Sequence, residues 1–75
     1  MVKVYSTNAC PWCVKAKNYL KSVGVAFEEF NVQEDMNARD EMINKSKQMG
    51  VPVLDIDGTV IVGFDKNAID KALNK

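Results

Sequence analysis

The chain's two cysteines stand three apart in Cys10-Pro11-Trp12-Cys13, just after the apolar-rich run Val2-Lys3-Val4-Tyr5 and at the start of a helix-like segment. Groups at that spacing on a helix bring their Cβ atoms within about 5–6 Å, a modest adjustment from disulfide geometry. The two sulfurs can therefore pair and separate. Cys10 precedes the first helical turn, where free amide groups and the positive end of the helix dipole stabilise an anion. It is expected to be partly thiolate near neutral pH, below the ordinary thiol value of about 8.5. Nucleophilicity falls as thiol pKa falls, so the net gain in attack is small. The larger benefit lies in leaving, because a low-pKa sulfur at Cys10 is expelled faster whenever a disulfide it shares is attacked at the other sulfur, while attack by Cys13 on Cys10 releases the client reduced. This is dithiol redox chemistry with different roles for the two thiols.

Pro11 suits the site because its fixed φ is helix-compatible and its missing N–H costs nothing in the first turn. Trp12 is expected to point away from the buried face, as a platform for an incoming peptide or thiol. A structural staple is a weaker reading of the pair, since a four-residue loop gives only about 2 kcal/mol of loop-closure stabilisation. A structural zinc site takes four protein ligands, and the chain has two Cys and no His. A metal or iron–sulfur centre would need two copies of the chain or an external thiol. That carrier is the alternative function, and no metal ligands are assigned within the chain.

Seventy-five residues leave room for one small domain, 1–75. Hydrophobic residues are 47% and charged residues 27%, a globular composition. Ten basic and ten acidic residues cancel without a Lys/Arg block, which argues against nucleic acid or an anionic membrane as partner. The start has no apolar signal stretch and no run approaches the roughly 18 residues of a membrane span. A cytoplasmic monomer is expected, and in a reducing cytosol a CxxC is catalytic or metal-binding sooner than a permanent disulfide.

The elements must position this dithiol. Val2–Tyr5 reads as a strand and residues 11–23 as a helix burying Cys13, Ala16, Leu20 and Val23 on one face, with Lys15, Asn18, Lys21 and Ser22 outward, Lys17 at the border as a solvated edge residue, and Gly24 as a stop. Residues 26–32 form a second strand, and the intervening helix implies a parallel crossover. Residues 34–49 favour helix with a weak stripe of Met36, Met42, Ile43 and Met49, the methionines filling gaps in shallow packing. Val53–Ile56 and Thr59–Val62 flank Asp57-Gly58, a type I′ turn signal, so they form an antiparallel hairpin with Asp55 and Asp57 exposed. Asp65 caps a last helix with Ile69, Ala72 and Leu73 inward. The order is βαβαββα, an α/β fold.

A CPxC after the first strand, Val51-Pro52 before the hairpin and Gly63-Phe64-Asp65 after it resemble the glutaredoxin family over essentially the whole chain. The resemblance implies a minimal thioredoxin fold, a four-stranded mixed sheet with three helices, with Cys10 as nucleophile and Cys13 as resolving thiol. It implies a cis bond before Pro52, beside the dithiol, which turns Val51 backbone groups outward for a substrate chain. It also implies a site at Gly63, Phe64 and Asp65 for the γ-glutamyl end of glutathione, a co-substrate rather than a bound cofactor. Pro11, Trp12, Val51, Pro52, Gly63, Phe64 and Asp65 are thus the expected substrate contacts.

Two positions depart from the glutathione-using pattern. Thr7 stands where many members carry Lys or Arg, and Lys66 where they carry an acid. Lys45, Lys47 or Gln48 could replace the first contact and Asp65 the second. The Gly-Phe pair is also similar to redoxins reduced by a thioredoxin-reductase-type flavoprotein. The expected function is reduction of protein or small-molecule disulfides, including glutathione mixed disulfides, with glutathione or such a flavoprotein as donor. The expected potential lies between about −200 and −270 mV.

Overall fold

The computed structural model describes residues 1–74. Seven elements follow in the expected order: β1 (Val2–Ser6), α1 (Pro11–Ser22), β2 (Glu28–Asn31), α2 (Met36–Ser46), β3 (Val53–Ile56), β4 (Thr59–Val62) and α3 (Lys66–Ala72). The sheet runs β2-β1-β3-β4. β1 and β2 are parallel, with Tyr5 opposite Phe30, while β3 is antiparallel to both β1 and β4. This four-stranded mixed sheet with three helices is the thioredoxin fold.

Side chains alternate across the pleat and so divide between two faces. Val2, Val4, Leu54, Ile56 and Ile61 pack with Ala16 and Leu20 of α1 and Ile69 of α3. On the other face Tyr5 and Val53 pack with Val32 and with Ala38 and Met42 of α2. Leu20 and Ile69 are inaccessible to solvent, as the spacing on their helices requires.

Several expectations shift. β2 starts only at Glu28, opposite Lys3, so Ala26 and Phe27 precede the paired segment. α2 ends at Ser46 because Lys47 takes a left-handed conformation with φ 62°. Met49 therefore lies outside the helix. Of the expected stripe only Met42 is fully buried, whereas Met36 and Met49 are exposed, so those two fill no gap. Asp55, expected at the surface, is buried. It lies on a central strand on the face that α2 covers, and its carboxylate accepts from Lys45 Nζ at 2.5 Å and from the Gly58 amide at 2.8 Å. Asp57 is exposed as expected. It and Gly58 take positive φ, 50° and 97°, which the tight hairpin requires.

Candidate functional site

The dithiol sits where β1 hands over to α1. Cys10 is the N-cap of α1, with extended backbone (φ −137°, ψ 96°), and Pro11 occupies the first turn. Its sulfur accepts the Cys13 amide at 3.1 Å. The two other helices begin with the same device built from aspartate. Asp35 Oδ1 accepts from Ala38 N and Asp65 Oδ1 from Ala68 N, each at 3.1 Å. Cys10 thus places sulfur where the chain elsewhere places a carboxylate, at a position whose free amides and dipole favour negative charge.

A disulfide joins Cys10 to Cys13 across a Cα separation of 5.2 Å. The two sulfurs differ in access: Cys10 is half-buried, whereas Cys13 is only 1% exposed on the core face of α1. A reagent from solution reaches Cys10 first.

Five of the expected substrate contacts meet in one groove. Trp12, Val51, Pro52, Gly63 and Phe64 line a depression of about 250 Å³, to which Trp12 of the CPxC segment contributes one wall. The Val51–Pro52 bond is cis. The Gly63 amide donates to the Pro52 carbonyl at 2.8 Å, fastening the end of β4 to this loop, and Gly63 takes the positive φ of 81° that a side chain would disfavour. Pro11 and Asp65 do not line the groove. Pro11 is exposed at the start of α1, and Asp65 turns its carboxylate into the α3 cap.

The groove's wall is aromatic. Trp12 stacks on Phe64 with ring centroids 6.4 Å apart, and Phe64 meets Tyr19 edge-on at 6.0 Å. Tyr19 donates its hydroxyl to Asp70, and that hydrogen bond raises its pKa above the ordinary phenol range. Sequence reading overlooked Tyr19. The signal was present, because Trp12, Lys15 and Tyr19 recur at i, i+3 and i+7, one helical stripe. Lys15 itself lies over the Trp12 ring, 4.5 Å from its centroid.

The polar residues named as replacement glutathione contacts have varied surroundings. Lys45 lies against the sheet with Asp55, not in the groove. Gln48 uses its amide within its own loop, donating to Ser46 Oγ at 3.1 Å and to the Gly50 carbonyl at 3.0 Å. Lys47 is exposed. Lys17 is not a free edge lysine: its ammonium lies 2.6 Å from Glu29 Oε2, which Ser6 also approaches at 3.1 Å. The Lys17 hydrogen bond is the main cause that holds Glu29 below the usual carboxylate range. Among the described residues, no group of three or more His, Cys, Asp or Glu side chains could hold a metal ion, and no helix is long and apolar enough to cross a membrane.

Comparison with known proteins agrees with this geometry. A family model described as Glutaredoxin matches residues 2–61. The chain is 56% identical over 75 residues to an uncharacterized glutaredoxin-like 8.6 kDa protein in the rubredoxin operon of Clostridium pasteurianum, covering both chains in full. It is 39% identical over 64 residues to glutaredoxin 3 of Escherichia coli K12, covering 85% of this chain and 77% of that one. The crystal structure of the thioredoxin-like protein BC3987 superposes with a TM-score of 0.90 at 35% identity, over 96% of this chain and 99% of that chain. The chain belongs to the glutaredoxin family and is a glutaredoxin-like thiol redox protein.

Proposed function

We propose that this protein is a dithiol–disulfide oxidoreductase that reduces disulfides of proteins and glutathione mixed disulfides, working in the cytoplasm as a monomer with no bound cofactor. The observation that carries the reading is the Cys10 sulfur in an N-cap site that aspartate fills elsewhere in the chain, half-exposed above a fully buried partner thiol. In the reduced protein, Cys10 thiolate attacks one sulfur of the client disulfide, and the other client sulfur leaves as a thiolate and takes up a proton. Cys13 then loses its proton and attacks Cys10. The second client sulfur departs, also to be protonated. Two electrons pass to the client, and the Cys10–Cys13 disulfide is the oxidised product. In that second step Cys10 is the sulfur attacked and the client sulfur is the leaving group, so a client thiol of low pKa is released faster.

The groove of Trp12, Val51, Pro52, Gly63 and Phe64 supports a role in holding the client beside Cys10, with the Val51 backbone available to an extended chain. The oxidised protein is returned to the dithiol by glutathione or by a thioredoxin-reductase-type flavoprotein. Thr7 and Lys66 lack the charges of the glutathione-using pattern, which is why both donors are carried.

Replacing Cys10 by Ser is expected to abolish all disulfide reduction. Replacing Cys13 by Ser should spare reactions that need one thiol and glutathione, and disable those that need intramolecular resolution. Insulin and glutathione mixed-disulfide assays read both outcomes, and full activity in Cys10→Ser would refute the assignment. Following reduction of the oxidised protein by glutathione, and separately by NADPH with thioredoxin reductase, identifies the donor by the faster route.

A further inference from the structure

We propose that the groove prefers a protein segment carrying a carboxylate close to its disulfide, and that Lys15 and Lys66 set this preference. The inference rests on the dithiol function proposed above and specifies its substrate class. The aromatic wall does not stop at the groove but forms a continuous run with an ammonium at each end. Lys15 lies 4.5 Å from the Trp12 centroid, Trp12 meets Phe64, Phe64 meets Tyr19, and Lys66 lies 5.7 Å from the Tyr19 centroid. Both lysines are exposed. Among the described residues neither has a carboxylate within ion-pair distance, whereas Lys3, Lys17 and Lys45 each do.

The nearby acids keep their charge but are directed to other donors. No carboxylate lines the groove. Asp65 is turned into the α3 cap and Asp70 accepts the Tyr19 hydroxyl. What faces a client is therefore an apolar, aromatic strip with a positive charge at either end. Its complement is an apolar side chain next to the client cysteine with an acidic residue a short way along the chain. Ring centroids 6.0 and 6.4 Å apart span more than one extended residue, which advances about 3.3–3.6 Å. The occupant is accordingly a peptide segment several residues long rather than a single amino acid.

The test uses three disulfide-linked peptides, identical except that the residues flanking the cysteine are Glu, Gln or Lys. With the wild-type protein, kcat/KM is expected to fall in the order Glu, Gln, Lys, by about two- to five-fold per step for exposed charge pairs. The spread should lie in KM and narrow at high salt. In Lys15→Gln and Lys66→Gln the Glu-to-Gln ratio should shrink toward one, more so in the double variant. Equal rates for the three peptides, or a ratio preserved in the double variant, overturns the preference while leaving the dithiol function standing. Faster turnover of a glutathione mixed disulfide than of the Glu peptide, lost in the same variants, overturns the peptide occupant in favour of glutathione. Failure to reduce the peptides alone overturns this inference, and failure to reduce either the peptides or a glutathione mixed disulfide overturns the function beneath it as well.

Discussion

The two faces of the sheet are held together by different physics. Toward α1 and α3 the contact is apolar, with Val4, Leu54, Ile56, Ala16, Leu20 and Ile69 all closed to solvent, and it is this side that carries Cys13. Toward α2 a smaller apolar cluster is joined to a charged lattice. Lys45 reaches Asp55, the Tyr5 hydroxyl at 3.2 Å and Glu41 at 3.4 Å, Tyr5 donates to Glu41, and Lys3 lies 3.5 Å from Glu41. α2 itself buries only Ala38 and Met42, so ion pairs and hydrogen bonds add to a contact that apolar area alone covers thinly. The helix bearing the redox pair is thus set on the drier, better-packed side, and the helix remote from it on the polar side.

The contrast can be attacked at several points. The largest effect is expected on the apolar face, where Leu20→Ala should lower unfolding free energy by about 2–5 kcal/mol through lost transfer and cavity terms. Urea titration reads it, and a loss no greater than that of an exposed substitution would erase the distinction. On the α2 face, Lys45→Met or Asp55→Asn should cost about 1–3 kcal/mol each by leaving a partner unsatisfied. The double variant should lose less than the two costs combined. Strict additivity would mean that Lys45 and Asp55 do not act as a pair.

Acid and alkali distinguish the faces with a smaller effect. Burial alone would raise the Asp55 carboxyl, but hydrogen bonds from Lys45 and the Gly58 amide hold it below the usual range. The Tyr5 hydroxyl is the chief cause that depresses Glu41. A carboxyl with a depressed folded pKa binds its proton more readily when unfolded, so its contribution is present above the unfolded values of about 3.9–4.3 and is lost as pH falls through the lower folded ones. Asp55 chiefly raises Lys45, whose contribution is present below the unfolded lysine value of about 10.4 and is lost as pH climbs through the higher folded one. Melting temperature should therefore fall at both extremes, and Lys45→Met should flatten the alkaline limb. A wild-type alkaline limb that the substitution does not change would contradict this assignment.

Periodicity made the apolar face legible in advance. Cys13, Ala16 and Leu20 declare one side of α1, and Asp57-Gly58 declares the hairpin. The α2 face was not legible, because its key pairs join residues far apart in sequence, such as Tyr5 with Glu41, and no local pattern reports them. Asp55 looked like a surface residue because alternation assigns only relative faces, and the covering of both faces is a property of the assembled sheet. α2 ended early because Lys47 supplies the left-handed turn usually signalled by glycine. At the site, family resemblance picked out the groove residues and the helical stripe of Trp12, Lys15 and Tyr19 was present in the sequence, but the contact of Tyr19 with Phe64 joins distant residues and emerged only from packing.

Trp12 is the chain's single tryptophan, and in the sequence it falls between the two cysteines that change oxidation state. An excited indole loses energy to an adjacent disulfide more readily than to two thiols, so this protein carries its own optical gauge. Its emission should brighten as the dithiol forms, which gives turnover a continuous, label-free record from the reacting end of the molecule.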